Sequence, residues 1–315
     1  MTRITGTSTG TGTSAGAPAP GSTTLVVGSG FVGRAVAARL TTRGDTAVLA
    51  SRRPPAQRSG PWVRLDATDA AACARVVEEV RPDRLVLVHG PSDVTWCETD
   101  PERAAELHTA AAANLTAAAP GRRTVLISTD NVFDGTSPAN DESAATAPAN
   151  AYGRAKRAAE RIVSQASDTT VLRVSLVYGW EPADSATWLN FFAACAHRLR
   201  GGEQVEAPED QWTTPVLVDD VAAVTAAALA PGTPGLLHLG GPDRVSRAAW
   251  AEAVADGLGV PRSRVVRVPK AHGRYASRPA YTCLTSTLLD DFLRRHGLRV
   301  RGVADGIRVL LEAAP

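Results

Sequence analysis

Lysine is nearly absent from this chain. Its 315 residues include 34 lysines and arginines together, and only Lys156 and Lys270 are lysine. Arginine stands wherever either cation serves, so each surviving lysine is a candidate for chemistry that a guanidinium cannot perform. Cysteine is also scarce. Cys73, Cys97, Cys195 and Cys283 are scattered, with none of the close spacing of a zinc site or a redox CxxC pair, which points to reduced thiols in a cytoplasmic protein. No apolar run approaches the ~20 residues a membrane-spanning helix needs. The net charge is only +2, and the basic residues are dispersed, which argues against a nucleic-acid partner. No His, Asp or Glu cluster has metal-ligand spacing, so no metal is expected. What is present is ordinary for an enzyme: 44% hydrophobic residues and enough length to bury a core in one large domain or two smaller ones.

Residues 1–22 are Thr, Ser, Gly, Ala and Pro with almost nothing to bury. They lack the apolar stretch of a signal peptide and read as a disordered tail. From Thr23 short apolar runs alternate with helical segments. Strands are expected at 23–27, 45–50, 61–65, 84–88, 124–127 and 170–174, and helices at 34–43, 69–80, 101–119 and 152–167. Strands apolar throughout, alternating with helices, indicate an α/β fold of the Rossmann type: a doubly wound parallel sheet covered on both faces. This domain is expected over 23–180. The rhythm then changes. Residues 181–315 read as a smaller mixed substrate-binding region, with helices near 185–200, 219–229, 246–258, 288–297 and 303–313, and some segments returning to the main sheet.

Gly28-Ser-Gly30-Phe31-Val32-Gly33 lies between the first strand and the first helix. Glycines there permit a tight turn and let the backbone approach a pyrophosphate, whose charge the helix N-terminus stabilises. An NAD enzyme usually ends its second strand with a carboxylate for the ribose hydroxyls. This chain instead continues Ser51-Arg52-Arg53, a hydroxyl and two guanidiniums suited to a 2′-phosphate. The expected cofactor is therefore NADPH. Asp66 either receives the adenine amino group or caps the helix that follows. His89 and Gly90, after the fourth strand, lie where the cofactor passes, although a hydrogen-bonded histidine at a strand end is the plainer reading of His89.

Tyr152 and Lys156 open a helix at i, i+4 spacing, so the phenol and the ammonium share a face. A neighbouring cation lowers a tyrosine pKa, and such a tyrosine can protonate an alkoxide as hydride reaches a ketone. Ser128 and Thr129, at the end of the fifth strand, offer hydroxyls to the carbonyl. An arginine at 156 would not replace the compact ammonium.

These residues carry a resemblance. The chain looks like an extended short-chain dehydrogenase/reductase, similar to the dTDP-4-dehydrorhamnose reductase group and its deoxysugar 4-ketoreductases. Ser128-Thr-Asp-Asn-Val-Phe-Asp-Gly135 is similar to STDYVFDG. Asp141-Glu142 and Pro148-x-Asn150-x-Tyr152-Gly153 match its acidic pair and PxNxYG. Residues 94–115 resemble its segment with CE, a proline and a terminal NL. Asp210-Gln211, Pro215 and Asp219-Asp220 resemble DQxxxP…DD, and Arg278-Pro279-Ala280 a C-terminal RPA motif. The likeness spans roughly 24–310. It implies a catalytic set of Thr129, Tyr152 and Lys156 with Asp130 beside it, and a nucleotide-sugar substrate.

The chain also departs from the pattern. Val27 takes the first glycine position, Asn131 the tyrosine of STDYVF, His108 a common asparagine, Trp96 a small basic residue and Leu176 a tryptophan. The hydride chemistry is spared, and the sugar's identity is what these changes bear on. Asn131, Trp212 and Arg278 are expected to touch substrate, Arg278 at a diphosphate unless it forms a surface ion pair. Trp96, Trp180 and Trp188 either stack on a ring or pack in the core. The expected function is an NADPH-dependent ketoreductase acting on the 4-keto group of an NDP-4-keto-6-deoxysugar. An NAD-retaining epimerase or dehydratase, and a non-catalytic NADP-binding regulatory subunit, are the alternatives. A homodimer is allowed by the sequence but not required.

Overall fold

Each apolar run between Thr23 and Val174 pairs with a neighbour in one parallel sheet. The computed structural model describes residues 21–55, 60–182, 189–276 and 278–313. The tail expected over 1–22 lies outside the described residues except for its last two. Trp188 lies outside them too, and the helix expected from residue 185 is described from Phe191. The chain runs β1 (Thr23–Val27), α1 (Phe31–Thr42), β2 (Thr46–Ser51), β3 (Trp62–Arg64), α2 (Ala70–Val80), β4 (Arg84–Leu87), α3 (Val94–Thr99), α4 (Pro101–Ala118), β5 (Arg123–Thr129), α5 (Ala151–Val163) and β6 (Thr169–Val174). The short α3 is not foreseen from the sequence. It exists because Asp93 accepts hydrogen bonds from the Thr95 and Trp96 amides and Asp100 caps α4 directly afterwards.

All six strands are parallel, and Leu236–Leu239 joins them beside β6. The order across the sheet is Leu236–Leu239, β6, β5, β4, β1, β2, β3. Alternate residues of one strand serve opposite layers. Leu25 and Val27 pack with Cys73, Val76 and Leu115 of the helices on one face. Val26 packs on the other face with Val36 and Leu40 of α1 and Val221 and Val224 of the helix Val218–Ala228. This double burial is why the strands are apolar throughout.

A second core, around Tyr178, Phe192, Leu199, Trp250 and Ile307, supports the later segments. There Trp212–Thr213 pairs with Val245–Ser246 and Tyr281–Thr282, and Val205–Pro208 pairs with Val265–Val268. The Ser175 hydroxyl, just after β6, contacts Thr213 and the Thr282 carbonyl, which sets the first of these small sheets against the C-terminal end of β6. The four cysteines are buried free thiols. Among the described residues no helix is long and apolar enough to cross a membrane.

Candidate active site

The strand order reverses between β1 and β4, so the loops leaving their C-terminal ends diverge and open a crevice. Gly28 turns the chain there with φ +117°, and a Cβ on it would stand 2.6 Å from the Val88 carbonyl oxygen. A Cβ on Gly33 would stand 1.8 Å from the Gly28 oxygen, so the helix can press on the turn only without a side chain. Gly30 is the α1 N-cap and has open space above it. A cleft of about 520 Å³ runs from Gly28, Gly30, Phe31 and Val32, past His89 and Gly90, to Thr129, Tyr152 and Lys156. A bare glycine turn over a helix N-terminus is the cradle a dinucleotide pyrophosphate needs. Gly33 supports this cradle from beneath and is not among the residues lining the cleft.

A second cavity of about 510 Å³ continues the groove over the end of β2, lined by Ser51, Arg52, Asp66, His89 and Gly90. Three expectations change here. The Ser51 hydroxyl donates to the Arg53 carbonyl (2.6 Å) and accepts from Ser29 (2.8 Å) and the Trp62 indole (2.9 Å), which commits it within the protein rather than to a 2′-phosphate. Arg52 lines the cavity, whereas exposed Arg53 does not, because the chain bends away after Ser51. The helix cap is Asp69, whose carboxylate accepts from the Ala72 amide, so Asp66 is released from that role. The Thr68 hydroxyl and amide hold the Asp66 carboxyl below the usual range, and Arg52 and Arg103 act in the same direction. Trp96 and Arg103 complete the wall. Arg103 carried no sequence signal, because it reaches the cavity from the first turn of α4.

The catalytic candidates meet at the cleft floor. Buried Lys156 donates to the Ile127 carbonyl (2.6 Å), and burial lowers its pKa to about 8. Tyr152, one turn earlier, is held above its ordinary pKa by burial, with a hydrogen bond to Thr129 working the other way. The lowering expected from Lys156 does not emerge, desolvation outweighs the Thr129 hydrogen bond, and the phenol is protonated at neutral pH. Thr129 is buried at the end of β5, and its hydroxyl lies 3.2 Å from an Asp130 carboxyl oxygen. Ser128 is different. Its side chain leaves the strand on the α5 side and donates to Glu160 (2.5 Å), which also pairs with Arg173 (2.9 Å). Alternation along β5 therefore sends the Thr129 hydroxyl to the cleft and the Ser128 hydroxyl to a buried ionic network, while Ser128 still borders the cleft.

The start of α5 is tightly fixed. The Ala151 amide donates to Glu98 (2.5 Å), and the Gly153 amide donates to Asn150 (2.8 Å). Asn150 in turn donates to the Asn131 side-chain oxygen (2.8 Å), and the Asn131 amide group donates to Asp130 (2.8 Å). Asn131 thus ties the turn after β5 to the helix that carries Tyr152. Burial pushes Asp130 up to about 6 against the pull of Ser175, Thr129 and Asn131.

His89 lines both cavities, but its Nε2 is occupied by the His108 carbonyl (3.0 Å), and the His108 Nε2 by the Pro91 carbonyl (3.1 Å). Burial holds both imidazoles neutral, at about 3 and about 2. Gly90 is where the loop clears His108, since a Cβ there would stand 2.1 Å from the ring.

On the facing wall the cleft is lined by Asn131, Leu176, Glu181, Phe191, Arg247 and Arg278. Trp212 is absent from this lining. Its ring lies 4.9 Å from the Arg244 guanidinium, in the strand between Val245–Ser246 and Tyr281–Thr282, so it belongs to the small three-stranded sheet. Trp180 likewise packs between Phe192 and His197, under Arg200.

Residues 22–299 match the family described as RmlD substrate binding domain. The chain belongs to this family. RmlD proteins are extended short-chain dehydrogenase/reductases related to dTDP-4-dehydrorhamnose reductase, and their chemistry is NAD(P)-dependent reduction. This RmlD member is 31% identical over 272 residues to a dTDP-4-keto-6-deoxy-D-glucose reductase of Streptomyces niveus, covering 82% of this chain and 87% of the relative. It is 28% identical to the methionine adenosyltransferase 2 subunit beta of Pongo abelii, over 84% and 81% of the two chains. The crystal structure of a Bacillus anthracis dTDP-4-dehydrorhamnose reductase in complex with NADP superposes with a TM-score of 0.80 at 22% identity, over 93% of this chain and all of that one.

Proposed function

We propose that the chain is an NADPH-dependent reductase that converts the 4-keto group of an NDP-linked 4-keto-6-deoxysugar to a hydroxyl. The observation that carries this reading is the meeting of Thr129, Tyr152 and Lys156 on the floor of a cleft that begins at the glycine turn. Bound NADPH would supply the hydride. Thr129 orients the ketone oxygen, and Tyr152, protonated at neutral pH, gives that oxygen its proton. Lys156 spends one of its three donors on Ile127 and keeps two for ribose hydroxyls, and its charge favours the phenolate left behind. Gly28, Gly30, Phe31, Val32 and the α1 N-terminus take the pyrophosphate, and Arg52 the 2′-phosphate. Residues 181–315 contribute the sugar side. The Streptomyces relative supports the substrate class, and Arg52 in the cavity at the end of β2, where no carboxylate ends the strand, supports NADPH over NADH. The test is NADPH oxidation by purified protein against a panel of NDP-4-keto-6-deoxysugars, and turnover with none of them would defeat the proposal.

A second reading, an NADP-binding regulatory subunit, is supported by the methionine adenosyltransferase relative. It requires absence of turnover together with a stable complex in a pull-down with a partner enzyme. The occupied catalytic positions favour the reductase. Protein purified with tightly held NAD⁺ would instead favour an epimerase or dehydratase.

A further inference from the structure

Lys156 and Glu160 lie on successive turns of α5, and both are buried, at 3% and 1% exposure. The i, i+4 spacing that puts Tyr152 and Lys156 on one face thus repeats from Lys156 to Glu160. Two consecutive residues of β5 hold the pair. The Ile127 carbonyl accepts from the Lys156 ammonium (2.6 Å), and the Ser128 hydroxyl donates to the Glu160 carboxylate (2.5 Å). Glu160 does not line the cleft, so it meets neither substrate nor cofactor.

A buried ammonium sheds its proton unless a negative charge compensates it. Around Lys156 stand Tyr152 from its own helix, His89 from the end of β4, His108 from α4 and, beside Tyr152, Cys97 from α3. Burial keeps these four uncharged near pH 7. Asp130, after β5, is committed to Ser175 and Asn131. Arg173 of β6 and Arg157 of α5 pair with Glu160, at 2.9 Å and 3.4 Å, and bring positive charge only. Against burial, Glu160 is the group that draws the Lys156 pKa back up.

We propose that Glu160 is a positioning residue for the reaction, a counter-ion whose carboxylate holds the proton on Lys156. The proposal rests on the reductase reading, in which Lys156 must be an ammonium to hold ribose and favour the phenolate. Glu160 acts through Lys156 alone.

The scarcity of lysine makes the test direct. Lys156 and Lys270 are the only lysines, so protein labelled with carbon-13 at lysine Cε gives two NMR signals, and Lys270→Arg assigns them. The Lys156 signal is titrated with pH in the full-length protein and in Glu160→Gln, Glu160→Asp and the double variant Glu160→Gln/Arg173→Met. Glu160→Gln keeps the shape and removes the charge, and should lower the Lys156 midpoint by about one pH unit or more. Glu160→Asp keeps the charge and should hold the midpoint within about half a unit of wild type. The double variant removes both charges of the buried pair, so it carries the test if Glu160→Gln does not fold, and its midpoint should also fall. If Glu160 served packing alone, its loss would admit water to Lys156 and raise the midpoint toward the ordinary lysine value. A raised or unchanged midpoint in a folded charge-removing variant overturns the proposal. The alkaline limb of kcat should shift down with the midpoint in Glu160→Gln, and a limb that stays at the wild-type pH would overturn the positioning role. A lowered midpoint, with no turnover of any ketosugar by the wild type, would defeat the reductase reading and leave the coupling of Glu160 to Lys156 standing.

Discussion

Gly153→Ala tests whether the catalytic geometry depends on how closely α5 approaches the turn after β5. A Cβ at 153 would stand 1.9 Å from the Asn131 carbonyl oxygen and 3.1 Å from the Pro148 Cβ. Carbon–oxygen contacts settle near ~3.3 Å, so helix and turn must part by more than an ångström. That movement pulls the Gly153 amide from Asn150 and Asn150 from Asn131. Overpacking costs about 1–3 kcal/mol and a lost N-cap about 1 more, against a gain of about 1 from replacing a helical glycine. The expected destabilisation is therefore about 1–3 kcal/mol. Displacing Tyr152 from Thr129 on this scale should lower kcat roughly a hundredfold. NADPH affinity should fall far less, because the glycine turn and Arg52 lie on other elements. Urea melts, fluorescence titration of NADPH and steady-state kinetics measure the three quantities. An alanine variant with wild-type kcat and stability would refute the argument.

Two further outcomes follow from the same geometry. Arg52→Ala should weaken NADPH about tenfold or more and NADH little, since a charge-assisted phosphate bond contributes about 1.5–3 kcal/mol. Arg53→Ala should change neither by more than about twofold, and equal losses from both substitutions would return Arg53 to the site. Asp130 titrates near 6 instead of 3.8, so its folded pKa is raised. A raised carboxyl stabilises the fold fully below the unfolded pKa and loses that contribution as pH climbs to 6. Asp130→Asn should therefore gain on the wild type between pH 4 and pH 7 by about 2 kcal/mol. Parallel urea melts at the two pH values check this, and a gap that does not widen contradicts it.

The parallel sheet was legible because double burial makes every strand apolar and because a helix follows nearly every strand. Gly28 and Gly33 were legible for a steric reason, as a Cβ would collide with backbone, that of Val88 after β4 for Gly28 and that of Gly28 itself for Gly33. Tyr152 and Lys156 were legible because i, i+4 spacing is local. The Ser128 hydrogen bond was not legible, because sequence proximity to Thr129 hides the alternation of a strand. Only the fold places Glu160, 32 residues later, against it. Arg53 is off the cavity that Ser51 and Arg52 line, because the chain's direction after β2 decides which groups face it. Arg247 and Arg103 gave no signal, because each reaches the groove from a helix start remote in sequence. Desolvation reversed the pKa expected for Tyr152, and burial is a property of the packed structure rather than of spacing.

The central claim is that Tyr152 is the proton donor for a ketone reduced in this cleft. The direct measurement is single-turnover oxidation of NADPH by an NDP-4-keto-6-deoxysugar, in the wild type and in Tyr152→Phe, alongside NADPH binding. The account predicts turnover in the wild type, its loss by a factor of about 10² or more in Tyr152→Phe, and nearly unchanged NADPH affinity. A Tyr152→Phe protein that oxidises NADPH at the wild-type rate would contradict it.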